Sequence, residues 1–233
     1  MKYLRIGCDL DGVLADFSSA YHEVELRLFG PGTPARAGNP EEVADETDEP
    51  DAPKPSPREG TKLHRRRTDA IWAAIRETPD FWTTLKPIEP DAVRRLHALM
   101  LQHRWEVFFI TQRPATLGDT VQRQSQRWLI EQGFDMPSVL VIPGSRGAAA
   151  GAVSLDYHVD DSPTNCVDIK SESKARPILI VGDDDPTAIA SARRLGIGTA
   201  SGIGAALDIL DKASAARSRP GLLQQLAQIV GWK

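Results

Sequence analysis

Asp9 and Asp11 stand two residues apart in DLDGVLADF, directly after the apolar-rich run of residues 4–8. Unpaired charge is costly to desolvate, so carboxylates that end a buried strand usually face a cleft, a metal or a cation. The first carboxylate can attack an electrophile. The second, displaced by the turn, can protonate a leaving group and later activate water. Gly12 lets the chain turn sharply away. An isolated Asp-x-Asp-Gly also fits a solvated Asx-type turn, but the whole string, placed straight after an apolar run, favours chemistry. Other apolar runs end in the same way. Thr111 closes FFIT and leads into Gln112 and Arg113; Asp160 and Asp161 close HVDD; Ser145 and Arg146 lie between them. In a parallel sheet such strand ends converge on one face. Two unit charges about 4 Å apart repel by roughly 4 kcal/mol at an effective dielectric near 20. Four carboxylates therefore call for a hard divalent cation, and magnesium is the usual one.

The elements that would hold these residues alternate. Strands are expected at 4–8, 106–110, 138–142, 157–161 and 177–181. Helices are expected at 16–29, with Phe17, Tyr21, Val24 and Leu28 on one face, at 68–77, capped by Thr68 or Asp69, and at 91–103. Further helices are expected at 116–132, with Val121, Trp128, Leu129 and Ile130 apolar, and at 148–153, 186–195, 203–210 and 221–230. Alternating strands and helices indicate an α/β fold, a Rossmann-like parallel sheet flanked by helices. Residues 31–60 interrupt the pattern. They are rich in proline and acid, with almost no large apolar residue, and read as a mobile insertion. Residues 1–16 and 87–233 then form the α/β core, and 17–86 a small helical cap inserted after the first strand.

These residues resemble the haloacid dehalogenase-like superfamily of phosphotransferases, whose motifs match Asp9-Leu10-Asp11-Gly12, FFIT ending at Thr111, and His158-Val159-Asp160-Asp161. The resemblance implies a phosphomonoester hydrolase that works through an aspartyl-phosphate. Asp9 would be the nucleophile, Asp11 the general acid and base, and Thr111 a ligand of the phosphoryl group. Magnesium would be held at Asp9, Asp11, Asp160 and Asp161. The family's usual lysine before the acidic pair is missing, since no lysine lies between Thr111 and Asp160. Arg146 is the nearest substitute, with Lys170 or Lys174 as alternatives, and arginine differs from lysine in shape and reach. DLDGVLADF is similar to the 5'(3')-deoxyribonucleotidase branch, which implies a base-contacting role for Phe17. Gln112 and Arg113 would join it in binding substrate. Alternatives are a phosphatase of sugar phosphates or of nucleic-acid ends, the latter using Arg65 to Arg67, and a phosphate-binding protein without turnover.

Composition excludes little but is consistent. The 233 residues carry 28 basic and 32 acidic side chains, a net charge of -4, which suggests neither general nucleic-acid nor membrane binding. Cys8 and Cys166 form no metal-ligand pattern and read as buried thiols of a reducing, cytoplasmic compartment. The expected partner is a small phosphorylated substrate, with a homodimer as a possible assembly. Asp183 to Asp185 form a second acidic run, whose plainer reading is a helix N-terminal turn.

Overall fold

Short runs such as VFFI and PILI are apolar on both alternating faces, which suits strands covered by helices on each side. The computed structural model describes residues 3–31, 59–182, 184–216 and 230–232, with backbone alone over 59–64. The strands are β1 (Arg5–Cys8), β2 (Glu106–Thr111), β3 (Ser138–Val141), β4 (Tyr157–Asp160), β5 (Arg176–Ile180) and β6 (Gly198–Ala200). They form one sheet in the order β3-β2-β1-β4-β5-β6, and every pairing is parallel. The chain builds outward from β1 to β3, then returns to place β4 on the other side of β1. The strand order therefore reverses between β1 and β4, and ligand crevices open at the carboxyl ends of strands at such a point. Asp9, Asp11, Asp160 and Asp161 all sit there.

Eight α-helices accompany the sheet among the described residues. They are α1 (Phe17–Phe29), α2 (Glu59–Glu77), α3 (Ala92–His103), α4 (Val121–Glu131), α5 (Arg146–Ala152), α6 (Pro163–Glu172), α7 (Pro186–Leu195) and α8 (Ile203–Ala216). The fold class expected from the sequence is the one observed. Ile6, Cys8, Val107, Phe109, Tyr157, Val159 and Ile178 line one face of the sheet within the main core. Ile110 packs on the opposite side with Ala150, Leu155, Ile169 and Ala175. Strand alternation puts His158 and Asp160 on one face of β4 and Val159 on the other.

The chain leaves the sheet after β1 and comes back beside its point of exit. The Asp16 amide donates to Lys86 O at 2.8 Å, and the Ile88 amide to Leu14 O at 2.9 Å. Between these points, α1 and α2 pack around an aromatic cluster. Phe17 stacks on Trp72 with centroids 5.5 Å apart and meets Trp82 at 5.6 Å.

Several expected boundaries shift for local reasons. Helix α2 starts at Glu59, well before Thr68. Thr68 and Asp69 therefore lie within the helix rather than at its N-terminus. Leu28 is exposed, and Glu25 takes the inward position on α1. Helix α4 starts at Val121, where Thr120 caps it by accepting from the Arg123 amide. Pro114 and Gly118, the latter at φ 96, keep the preceding residues in a loop. Ile130 is exposed because the buried stripe of α4 runs through Val121, Gln124, Ser125 and Trp128. Strand β6, three small residues, carries too little pattern to be anticipated. The segment expected at 31–60 and the helix expected at 221–230 lie largely outside the described residues.

Candidate active site

Each functional side chain is set by the end of a strand or the start of a helix. Asp9 follows β1 directly and is 2 % exposed, and its amide donates to Val159 O at 2.9 Å, which ties the end of β1 to β4. Thr111 ends β2 and is buried. Arg146 opens α5 behind the N-cap Ser145, which accepts from the Ala148 amide at 3.2 Å. Its side chain is buried, with Nη2 3.7 Å from Asp9 Oδ1. Lys170 donates to Gly196 O at 3.2 Å. Lys174 lines a cavity of about 870 Å³ at the amino ends of β4 and β5, with Asp156 and Arg176. Of the three cations considered for the missing lysine, Arg146 is the one beside Asp9.

Asp160 closes β4 and is fully buried among donors. The Ser162 amide reaches Oδ1 at 2.9 Å, Asn165 Nδ2 lies 3.2 Å from Oδ1, and His158 Nε2 lies 3.0 Å from Oδ2. Asp161 follows and is half-buried. Gly12, at φ 78, passes so close to Asp161 that a Cβ there would overlap its Oδ2. Asp9, Asp160 and Asp161 each offer an oxygen, all within 4.8 Å of one another. Oxygen donors only, closely grouped and largely desolvated, match a hard divalent cation. The negative field of the cluster is felt nearby: burial, then the charges of Asp9 and Asp160, push the Cys8 thiol well above its ordinary value.

Asp11, expected among the ligands, stands apart from this group. Arg113 binds it bidentately, with Nε 2.8 Å from Oδ2 and Nη2 2.6 Å from Oδ1. Arg113 Nη1 donates to Ser125 Oγ at 2.8 Å, and the guanidinium lies 4.7 Å from the centre of the Trp82 ring. Two buried guanidiniums thus serve four carboxylates. Asp9, Asp160 and Asp161 are the carboxylates grouped closely enough to share a cation.

Phe17 is 3 % exposed and enclosed by Tyr21, Trp72, Phe81 and Trp82. Gln112 is half-buried beside Arg113. Arg67 is held within its own lobe, by Glu25 at 4.0 Å and over the Phe29 ring at 4.4 Å. Of the second acidic run, Asp185 caps α7 by accepting from the Ala188 amide at 2.8 Å, as the plainer reading has it; Asp183 lies outside the described residues.

Sequence reasoning passed over Trp82, Gln124, Ser125, His158 and Asn165. Gln124 is buried and organises the loop after Arg113, with Nε2 donating to Asp119 O at 2.6 Å and Oε1 accepting from the Trp82 amide at 3.1 Å. A signal for two of them was present: Gln124 and Ser125 fall on the helical stripe that joins Val121 to Trp128.

No protein-family model matches the chain, and no curated protein matches it. Solved structures do. One is a putative beta-phosphoglucomutase from Thermotoga maritima, 19% identical, covering 89% of this chain and 98% of that one with a TM-score of 0.52. Another is a HAD family hydrolase from Deinococcus radiodurans R1 with bound phosphate and sodium, 18% identical, covering 94% and 97% with a TM-score of 0.51. The chain has the haloacid dehalogenase-like fold. Neither of these structures is described as a deoxyribonucleotidase.

Proposed function

We propose that the protein is a magnesium-dependent phosphomonoester hydrolase working through an aspartyl-phosphate on Asp9. The observation that carries this reading is the grouping of Asp9 with Asp160 and Asp161 at one sheet edge, with Arg146 against Asp9. Asp9 and Asp161 would hold the cation, and Asp160, which already accepts from three groups, would complete the site. The cation supplies charge neutralisation for phosphate oxygens.

Asp9 Oδ attacks phosphorus in line with the leaving oxygen. Arg146 and Thr111 face the phosphoryl oxygens and hold them as charge builds. Asp11 gives a proton to the leaving oxygen, then takes one from the water that attacks the aspartyl-phosphate. Both oxygens of Asp11 accept from Arg113 in this arrangement, so Asp11 must loosen from Arg113 before it can meet the leaving oxygen. An incoming phosphate is the natural competitor for that guanidinium, which gives Arg113 its substrate-binding role.

Residues 17–86 act as a cap that selects the leaving group. Nucleoside or deoxynucleoside monophosphates are the first reading for the substrate, supported by the likeness of DLDGVLADF to the deoxyribonucleotidase branch. Phe17, Trp72 and Trp82 are buried against one another, so a base would have to part them to stack there. A sugar phosphate is the second reading, favoured by the fold shared with a protein described as a putative beta-phosphoglucomutase. The engagement of Arg67 with Glu25 and Phe29 argues against nucleic-acid ends. Two buried cysteines without a disulfide fit a reducing, cytoplasmic compartment, and among the described residues no helix is long and apolar enough to cross a membrane.

The test is phosphate release from a panel of nucleoside, deoxynucleoside and sugar monophosphates, with and without magnesium. Magnesium-dependent turnover that vanishes in Asp9→Asn supports the reading. Turnover that survives either change rejects it.

A further inference from the structure

β4 is covered on both faces, yet it carries an imidazole where an aliphatic side chain would fill the space at lower cost. His158 is 0 % exposed. Its Nε2 lies 3.0 Å from Asp160 Oδ2. An ionised carboxylate only accepts, so Nε2 carries the proton and donates. The other nitrogen, Nδ1, has no hydrogen-bond partner among the described residues. The ring therefore has one polar duty, toward Asp160.

The neighbouring strand makes room for it. Gly7 pairs directly with His158 in the β1–β4 register. A Cβ on Gly7 would overlap Nδ1, with Leu155 Cδ1 next nearest. Gly7 does not have a positive φ, so the glycine is there for space rather than for backbone freedom. Two positions on two strands thus serve to seat one N–H donor against one carboxylate.

We propose that His158 is a positioning residue: it fixes the Asp160 carboxylate in the orientation the three-carboxylate site needs to bind a divalent cation. The proposal rests on the metal reading above. Groups that hydrogen-bond to metal ligands typically contribute 10- to 100-fold in metal affinity. From the α6 side the Ser162 amide holds Oδ1 of Asp160 and Asn165 Nδ2 lies 3.2 Å from Oδ1 and 3.4 Å from Oδ2, while His158 reaches Oδ2 at 3.0 Å from within the sheet.

The experiment titrates metal-stripped protein with Mn2+ in the absence of substrate and reads free Mn2+ by electron paramagnetic resonance. Wild type, His158→Leu, His158→Gln and Gly7→Ala are compared, with a thermal melt of each. His158→Leu should bind Mn2+ about 10- to 100-fold more weakly, while His158→Gln, which keeps an N–H donor, should recover most of the loss. Gly7→Ala, which crowds the ring without touching any carboxylate, should weaken binding in the same direction. Wild-type affinity in His158→Leu, or a glutamine variant no better than the leucine one, overturns the proposal. If His158→Leu does not fold, Gly7→Ala decides, and wild-type affinity there overturns it. Wild-type protein that binds no Mn2+ rejects the metal reading itself, and the proposal with it.

Discussion

Arg113 closes on both carboxylate oxygens of Asp11, at 2.8 and 2.6 Å, across 102 positions of sequence. The pair is almost wholly buried, and the guanidinium is held in place by Ser125 and the face of Trp82. Removing one partner of such a pair leaves the other as uncompensated buried charge. Arg113→Ala should therefore lose about 3–5 kcal/mol of stability in urea denaturation. Arg113→Lys should recover little of it, because lysine cannot reproduce the fork. A loss in Arg113→Ala well under 1 kcal/mol would mean that the pair is not formed in solution.

Asp9→Asn keeps the shape of the side chain but removes its charge and nucleophilicity. We expect an unchanged fold by circular dichroism and a drop in phosphate release of more than about a thousandfold. Residual turnover within tenfold of wild type would exclude Asp9 as the nucleophile.

Gly12→Ala meets two obstacles together, a φ of 78 and the Asp161 carboxylate in the space the new methyl would need. Asp161 must move away from Asp9 and Asp160 to admit it. Mn2+ binding and turnover should fall together. A variant that retains both would show that the turn can relax without disturbing the site.

Asp80 joins the lobe carrying Phe81 and Trp82 to the loop at Gly118. It accepts from the Asp119 amide at 2.8 Å and pairs with Arg127 at 3.0 Å. These contacts, the backbone one first, hold its carboxyl below the ordinary value. A group depressed in the folded state contributes stability above its unfolded pKa, near 4, and that contribution is lost as pH falls through the folded value. Asparagine tolerates the left-handed backbone of Asp80, at φ 52. The gap in thermal midpoint between wild type and Asp80→Asn should thus be largest near pH 6 and should shrink toward pH 3. A gap independent of pH would remove charge from the account.

Cys8 and Cys166 are both buried and outside any disulfide, and the Cys8 thiol is pushed up by burial and by Asp9 and Asp160. A thiol held protonated away from solvent reacts slowly. A disulfide reagent should label neither cysteine in native protein and both in denaturant. Rapid native labelling of Cys8 would indicate that the end of β1 opens.

Much of this was legible along the chain because it is local. An apolar run followed by acid marks the carboxyl end of a strand, and Asp9 and Asp160 with Asp161 do stand at such ends. The α/β alternation follows from the same hydropathy periods. Arg146 is the nearest match in sequence to the missing lysine, with Lys170 and Lys174 as alternatives, and it is the one that lies against Asp9. Hydropathy records which side of an element is buried, but not which partner it meets there. Gln124 and Ser125 fall on the buried stripe of α4, but nothing along the chain names Trp82 and Arg113 as their partners.

The residue types and their order therefore settled the fold class and named the carboxylates at the strand ends. Folding alone decided their division of labour: Asp11 to Arg113, Asp160 to His158, Ser162 and Asn165, and Asp9 to the company of Asp160 and Asp161. The reason is geometric. A charge two residues along a turn can face several neighbours, and only the packing of distant strands and helices determines which donor arrives within hydrogen-bond distance.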